Sequence, residues 1–158
     1  MKSEQGRSWA WVLAQWVLLA ALLCLPGGPA VAFLLPLRLP AYFFQGVGLL
    51  LVAAAALNLG NALTPLPSPR QGAALKTGGL YRSMRHPIYT GILVWALGFA
   101  VASSGSWHLF VFTLLCLFFS GKARYEEALL RERFPEYGTY AERTPRFIPR
   151  LDAGKDTR

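Results

Sequence analysis

Gly78-Gly79-Leu80-Tyr81-Arg82-Ser83-Met84-Arg85-His86-Pro87-Ile88-Tyr89-Thr90-Gly91 is the stretch on which the reading of this chain turns, because it sets cations, a histidine and two tyrosines at the mouth of an apolar run. Pro87 fixes its own φ and pushes His86 out of helical geometry, so a helix is predicted to begin with Pro87 in its first turn. His86 then stands at the lip of that helix. The unpaired first-turn amides and the positive end of the helix dipole point to the same place, beside Arg82 and Arg85, which reads as an anion site. A plainer reading also fits: basic and aromatic residues ahead of an apolar run anchor it to lipid headgroups.

Working outward toward the C-terminus, residues 88–103 form an apolar span, Ser104-Gly105 a tight turn, and 107–120 a second span, giving a helical hairpin. Both are short for a hydrocarbon core of ~30 Å, which takes about 20 helical residues. Lys122, Arg124, Tyr125, Glu126, Glu127, Leu129, Leu130, Arg131 and Phe134 keep helical spacing as far as Pro135, so the last helix is expected to run on as an amphipathic extension. Toward the N-terminus, residues 41–63 and 9–25 are two further spans. Pro26-Gly27-Gly28-Pro29 and Pro36-Leu37-Arg38-Leu39-Pro40 make 26–40 a turn-rich connection between them. Gly46, Gly48 and the alanines 53–56 allow a neighbouring helix to approach closely, and Asn58 and Asn61 read either as interhelical glue or as pocket lining.

Composition agrees with spans of this kind. A chain of 158 residues with 54% hydrophobic and 15% charged residues, and a mean hydropathy of +0.35, exceeds what a soluble core of this size needs. The expected fold is therefore all-α and integral to the membrane: one domain, about four transmembrane helices, a C-terminal hairpin and a cytosolic helical extension. The formal charge of +8 lies in short segments flanking apolar runs, where lipid contact and topology account for it and nucleic acid is not implied. The 64–87 loop holds Arg70, Lys76, Arg82 and Arg85 and no acidic residue, and Arg38 is the basic residue of the opposite loops. Positive-inside counting thus puts both ends and the 64–87 loop in the cytosol. His108 falls on the far side from His86, so the two cannot share a metal or a proton. Ala30-Val31-Ala32 also matches a signal-cleavage pattern, although the run before it is longer than a ~7 to 15 residue signal core.

Cys24 and Cys116 sit inside apolar runs with no CxxC or Cys/His cluster, so neither a disulfide framework nor a metal site is encoded. There is no long-period repeat and no glycine-rich phosphate loop. The acidic pair Glu126-Glu127 remains. Glu127 has Arg131 one turn on as a partner at a solvated surface. Adjacent helical residues point about 100° apart, so one of the two carboxylates is free to face the basic loop and complete a site for a zwitterionic ligand.

At these residues a resemblance emerges. Thr64-Pro65-Leu66-Pro67, the run from Leu75-Lys76 through His86-Pro87-Ile88-Tyr89 to Gly91, Glu126-Glu127-x-x-Leu130, Phe134-Pro135-Glu136-Tyr137-x-x-Tyr140 and Pro145-Arg146-Phe147-Ile148-Pro149 resemble the isoprenylcysteine carboxyl methyltransferase family, and are similar to the related phospholipid N-methyltransferases. The resemblance implies an integral membrane methyltransferase using S-adenosylmethionine, with 64–87 and 121–150 as the cytosolic cofactor-binding face. It implies cofactor contacts from Ala73, Ala74, Leu75, Lys76, Tyr81, Arg85, His86, Pro87, Ile88, Tyr89 and Glu126. Arg124 and Glu126 are the implied catalytic residues, Arg124 as the basic group facing substrate, although Lys122 fits an ungapped alignment better. Two departures stand out: Lys76 replaces a small apolar residue, and the segment before Tyr137 is one residue short, which loosens the register of the acidic pair. The expected partners are membrane lipids and a lipophilic or lipidated carboxylate entering from the bilayer. A phospholipid amine and a small thiol are alternative acceptors, and a non-catalytic scaffold or carrier is an alternative role.

Overall fold

The computed structural model describes residues 2–68, 72 and 74–149, with residues 2–5 described as backbone alone. Its helices are α1 (Lys2–Cys24), α2 (Arg38–Leu59), the single turn α3 (Leu80–Ser83), α4 (Pro87–Ser103), α5 (Ser106–Arg133) and α6 (Tyr137–Arg143). Short 3₁₀ segments, Ala32–Leu37 and Gly60–Ala62, lead into and out of α2. Among the described residues three helical stretches, Gly6–Cys24, Ala32–Ala62 and Ser106–Arg133, are long and apolar enough to cross a membrane, and α4 is a shorter apolar helix. The protein is an all-α integral membrane protein.

α4 begins with Pro87 at its first position, and α5 runs on without a break to Arg133, both as the sequence predicts. The connection before α2 differs from expectation. Pro36 is absorbed into the 3₁₀ segment and Pro40 into the first turn of α2, so the helix starts at Arg38 instead of 41. A proline there forfeits no intrahelical bond, because first-turn amides have no partner inside the helix. At the other end α2 stops at Leu59, because Gly60 turns to φ 54°.

α2 and α4 make the closest helix pair. Ala41, Gly48 and Ala55 recur every seven residues on α2 and are buried, and Gly91 and Gly98 repeat at the same interval on α4. A Cβ on Gly48 would lie 2.5 Å from the Trp95 amide nitrogen and 2.6 Å from the Gly91 carbonyl oxygen, and one on Gly98 would lie 2.6 Å from the Ala41 carbonyl oxygen. The backbones thus touch directly, which is the packing available to helices that gain little hydrophobic energy from each other in lipid. α1 packs instead through aromatic rings against α5, with Trp11 5.4 Å from Phe118 and 5.9 Å from Tyr125. Leu22, Ala96, Val111, Leu115 and Phe119 fill the space between α1, α4 and α5.

The α4–α5 turn is closed by Ser104, a buried residue in the left-handed region at φ 53°. The chain after α1 is stitched to it: Val31 N–H donates to the Ser104 carbonyl at 2.7 Å and Trp107 N–H to the Gly27 carbonyl at 3.1 Å. His108 is buried at this end of the hairpin, while His86 caps the other end of α4. The 17 residues between turn and cap span about 25 Å, so the two histidines are well separated.

Candidate functional site

The site gathers at the start of α4, and its centre is an internal ion cluster. Glu127 on α5 is fully buried. Arg146 grips it bidentately, Nε to Oε1 and Nη2 to Oε2, both at 2.8 Å. Arg85 donates to Oε1 from Nε at 3.2 Å and Nη2 at 3.1 Å, and His86 Nε2 lies 3.1 Å from the same oxygen. A carboxylate can only accept, so Nε2 is the nitrogen of His86 that carries hydrogen here. Arg131, the partner expected from local spacing, is 3.9 Å away and half exposed. The anion site read at the lip of α4 is therefore occupied from within, by the protein's own carboxylate, and the solvated role assigned to Glu127 is corrected.

This cluster holds down the segment after α6. Arg85 Nη1 donates to the Ala141 and Thr144 carbonyls, both at 2.6 Å. The Arg85 and His86 amides donate to the Pro145 and Arg146 carbonyls at 2.9 and 3.0 Å, and Thr90 Oγ1 donates to Phe147 O at 2.9 Å. Residues 144–147 form a strap across the entrance to α4. Glu127's hydrogen bond raises the Arg146 guanidinium above its ordinary value, so the pair stays charged.

One position earlier on α5, Glu126 faces the other way, into a cavity of about 370 Å³. Its Oε2 accepts from Tyr89 Oη at 2.6 Å and stands 3.8 Å from His86 Nδ1. The Tyr89 and His86 rings stack in parallel at 5.2 Å. Tyr81, Arg85, His86, Tyr89, Glu126 and Tyr137 give the cavity its polar lining, and Val12 and Trp16 of α1, Leu59 at the end of α2, Leu63 beyond the 3₁₀ turn and Ile92 of α4 give it an apolar one. Gly79 makes the approach of Tyr81 possible. It adopts φ 60°, and a Cβ there would strike the Asn58 amide. Tyr140 Oη then donates to the Tyr81 carbonyl at 2.6 Å, tying α6 to α3.

Burial first, and Glu126 second, push the Tyr81 hydroxyl well above its ordinary value; burial does the same to Tyr137 and carries Tyr140 to about 12. These tyrosines are neutral hydroxyls at physiological pH, fit to donate or pack but not to act as bases.

Of the residues expected at the site, Ala74, Leu75, Lys76, Tyr81, Arg85, His86, Ile88, Tyr89 and Glu126 all line the cavity. Ala73 lies outside the described residues. Pro87 is buried behind the lining, where it fixes the start of α4. Arg124 is not in the lining and faces outward. Lys122 takes the inward place, since residues four apart share a helix face with Glu126 and residues two apart do not. Sequence reasoning also misses Arg146, whose only local signal is a cation between two prolines, and Val12, Gln15 and Trp16 of α1. Neither Asn58 nor Asn61 belongs to the lining.

Comparison of the sequence with known proteins gives this membrane helical bundle its class. The model of the phospholipid methyltransferase family matches residues 38–137, and the chain belongs to that family. It is 42% identical over 80 residues to a probable protein-S-isoprenylcysteine O-methyltransferase of Oryza sativa subsp. indica, covering 49% of this chain and 42% of the relative. It is 33% identical over 107 residues to protein-S-isoprenylcysteine O-methyltransferase B of Arabidopsis thaliana, covering 65% and 54%. It is also 36% identical over 85 residues to the nickel-cobalt-cadmium resistance protein NccN of Alcaligenes xylosoxydans xylosoxydans, covering 53% and 40%. The chain spans about half the length of the curated relatives it matches, or somewhat less.

Proposed function

We propose that this protein is an S-adenosylmethionine-dependent membrane methyltransferase whose acceptor is a lipophilic molecule, with carboxyl O-methylation of an isoprenylcysteine-like compound as the leading activity. The observation that carries the reading is the mixed lining of one cavity, polar around Glu126, Tyr89 and His86 and apolar along α1 and α2. Its volume falls within the range of small-molecule sites, about 300 to 1,000 Å³. The wall brings together a carboxylate, an imidazole and tyrosine side chains, a donor set suited to a ligand that carries a sulfonium, an ammonium and hydroxyl groups. The residues therefore fit the cofactor.

When bound, S-adenosylmethionine supplies an electrophilic methyl on a sulfonium, so neither a metal nor a covalent nucleophile is needed. Tyr81 offers an aromatic ring to a cation, whereas the Tyr89 ring already stacks on His86 and lies under the Lys122 ammonium. Glu126 offers a carboxylate to a positively charged or hydroxyl group, and the Tyr89 hydroxyl holds it in place. The backbone around Ala74, Leu75 and Lys76 adds polar groups along one side. The task left to the protein is alignment of two reactants, which a bundle with backbone-to-backbone helix contact supplies. A carboxylate acceptor needs no general base, in keeping with tyrosines held neutral. The family description favours a second reading, in which the acceptor is a phospholipid amine.

Incubating purified protein with methyl-labelled cofactor and a panel of prenylcysteines, phosphatidylethanolamines and small thiols tests the assignment. Label transferred to none of them contradicts it. Removing one charge-assisted contact costs on the order of 1.5 to 3 kcal/mol, so Glu126→Gln is expected to weaken cofactor binding roughly ten- to hundredfold. An unchanged affinity removes Glu126 from the site.

The reading also carries a topology: four crossings, with both ends, the 64–87 loop and the cavity mouth cytosolic. Reporters placed after Arg158 and near Ala74 should report cytosol, and one near Gly28 the opposite side. A cytosolic signal at Gly28 overturns that arrangement.

A further inference from the structure

Lys122 and Gln15 form a pair that the cofactor contacts leave unused. Lys122 is 2% exposed, its ammonium donates to Gln15 Oε1 at 2.6 Å, and it stands 5.3 Å from the centre of the Tyr89 ring. An ammonium has no lone pair, so Gln15 must offer it the amide oxygen and turn its NH₂ group away. The hydrogen-bond partner of this buried cation is thus neutral. Glu126, one turn on along the same helix face, acts on this ammonium through its charge, but its hydrogen bond goes to Tyr89, so among the described residues two of the three ammonium N–H donors have no hydrogen-bond partner. A carboxylate entering the cavity takes up those donors as charge-assisted hydrogen bonds. Both side chains line the cavity, beside Val12, Trp16, Leu59 and Leu63. Gln15 reaches in from α1, outside the residues that match the family.

We propose that Gln15 is a specificity-determining substrate residue, which with Lys122 forms a two-donor subsite for the carboxylate of an amphiphilic acceptor, Lys122 Nζ donating to one oxygen and Gln15 Nε2 to the other. The acceptor's apolar tail lies along Val12, Trp16, Leu59 and Leu63. This rests on the methyltransferase reading and deepens it by naming, on α1, a residue that selects a carboxylate acceptor. The same ammonium repels the protonated amine of an aminophospholipid, so the subsite discriminates between carboxylate and amine acceptors before any chemistry occurs.

The test uses full-length protein in detergent and an S-farnesylated cysteine derivative as probe, in free-carboxylate and primary-carboxamide forms. Probe binding is measured without cofactor, S-adenosylhomocysteine binding is measured separately, and KM and kcat are measured for the carboxylate. Gln15→Glu sets a carboxylate against Lys122 and should weaken the carboxylate probe about tenfold or more, as a rise in KM with kcat little changed. Gln15→Leu keeps the bulk, loses one donor and should weaken it about three- to tenfold. Both variants should keep wild-type affinity for S-adenosylhomocysteine, Gln15→Leu should unfold at a somewhat lower temperature because the buried ammonium loses its acceptor while Gln15→Glu should not, and the carboxamide should bind wild-type protein worse than the carboxylate does. Equal affinity for carboxylate and carboxamide, or an unchanged carboxylate affinity in Gln15→Glu, overturns the subsite. Probe binding that responds to Gln15 in a protein that does not bind S-adenosylhomocysteine supports the subsite and overturns the methyltransferase reading.

Discussion

Glu127→Gln is expected to be the most damaging single substitution outside the helix interfaces, lowering stability by roughly 3 to 5 kcal/mol. The fully buried carboxylate pairs with both Arg85 and Arg146 and accepts from His86, and an amide in its place leaves two guanidinium groups close together with no anion between them. The strap at 144–147 should loosen as a result, because Arg85 both touches Glu127 and ties down the Ala141 and Thr144 carbonyls. Arg131→Ala is the matched control. It removes the one partner that is half exposed and 3.9 Å distant, so it should cost under about 1 kcal/mol. Thermal unfolding of the two variants in the same detergent decides the matter: equal midpoints contradict the buried cluster.

Gly48→Val should prevent α2 and α4 from docking. Its Cβ would meet the Trp95 amide nitrogen at 2.5 Å and the Gly91 carbonyl oxygen at 2.6 Å, and both are backbone atoms of a regular helix that cannot rotate aside. Overpacking against movable side chains costs about 1 to 3 kcal/mol, and a rigid backbone puts this case at or beyond the top of that range. A Cβ on Gly46 of the same helix would meet nothing within 4 Å. Gly46→Ala should therefore be neutral or gain up to about 1 kcal/mol from helix propensity. If Gly48→Val expresses and unfolds like Gly46→Ala, the helix pair is not packed as described.

Much of this architecture can be read from local signals. Pro87 announces the start of α4 because its ring restricts two residues at once, and the unbroken helical spacing after Phe119 announces that α5 continues. The partners of Glu127 cannot be read that way. Arg146, His86 and Arg85 are 19, 41 and 42 residues distant, whereas Arg131 is one turn away and captures any argument from spacing. The contrast between Arg124 and Lys122 has a similar origin. Both are cations on one amphipathic helix, and which of them turns inward depends on where α1 and α4 pack against α5. The anion site inferred from the helix terminus, Arg82 and Arg85 is sound as electrostatics, but the anion that satisfies it comes from the chain itself.

The contributions of α1 lie beyond sequence reasoning for a different reason. Val12, Gln15 and Trp16 sit in an apolar stretch where a single polar residue reads as a tolerated exception, and they precede the residues that match the family. Their place in the cavity wall follows from the aromatic packing of Trp11 on Phe118 and Tyr125, which sets the rotation of α1 against α5.

Isothermal titration of the purified full-length protein with S-adenosylhomocysteine tests the central claim most directly, because it asks whether the cavity bounded by Tyr81, His86, Tyr89 and Glu126 receives the product form of the cofactor. Saturable binding at one site per chain, weakened by Glu126→Gln, is the predicted result. The absence of binding to a protein that unfolds cooperatively would contradict the claim.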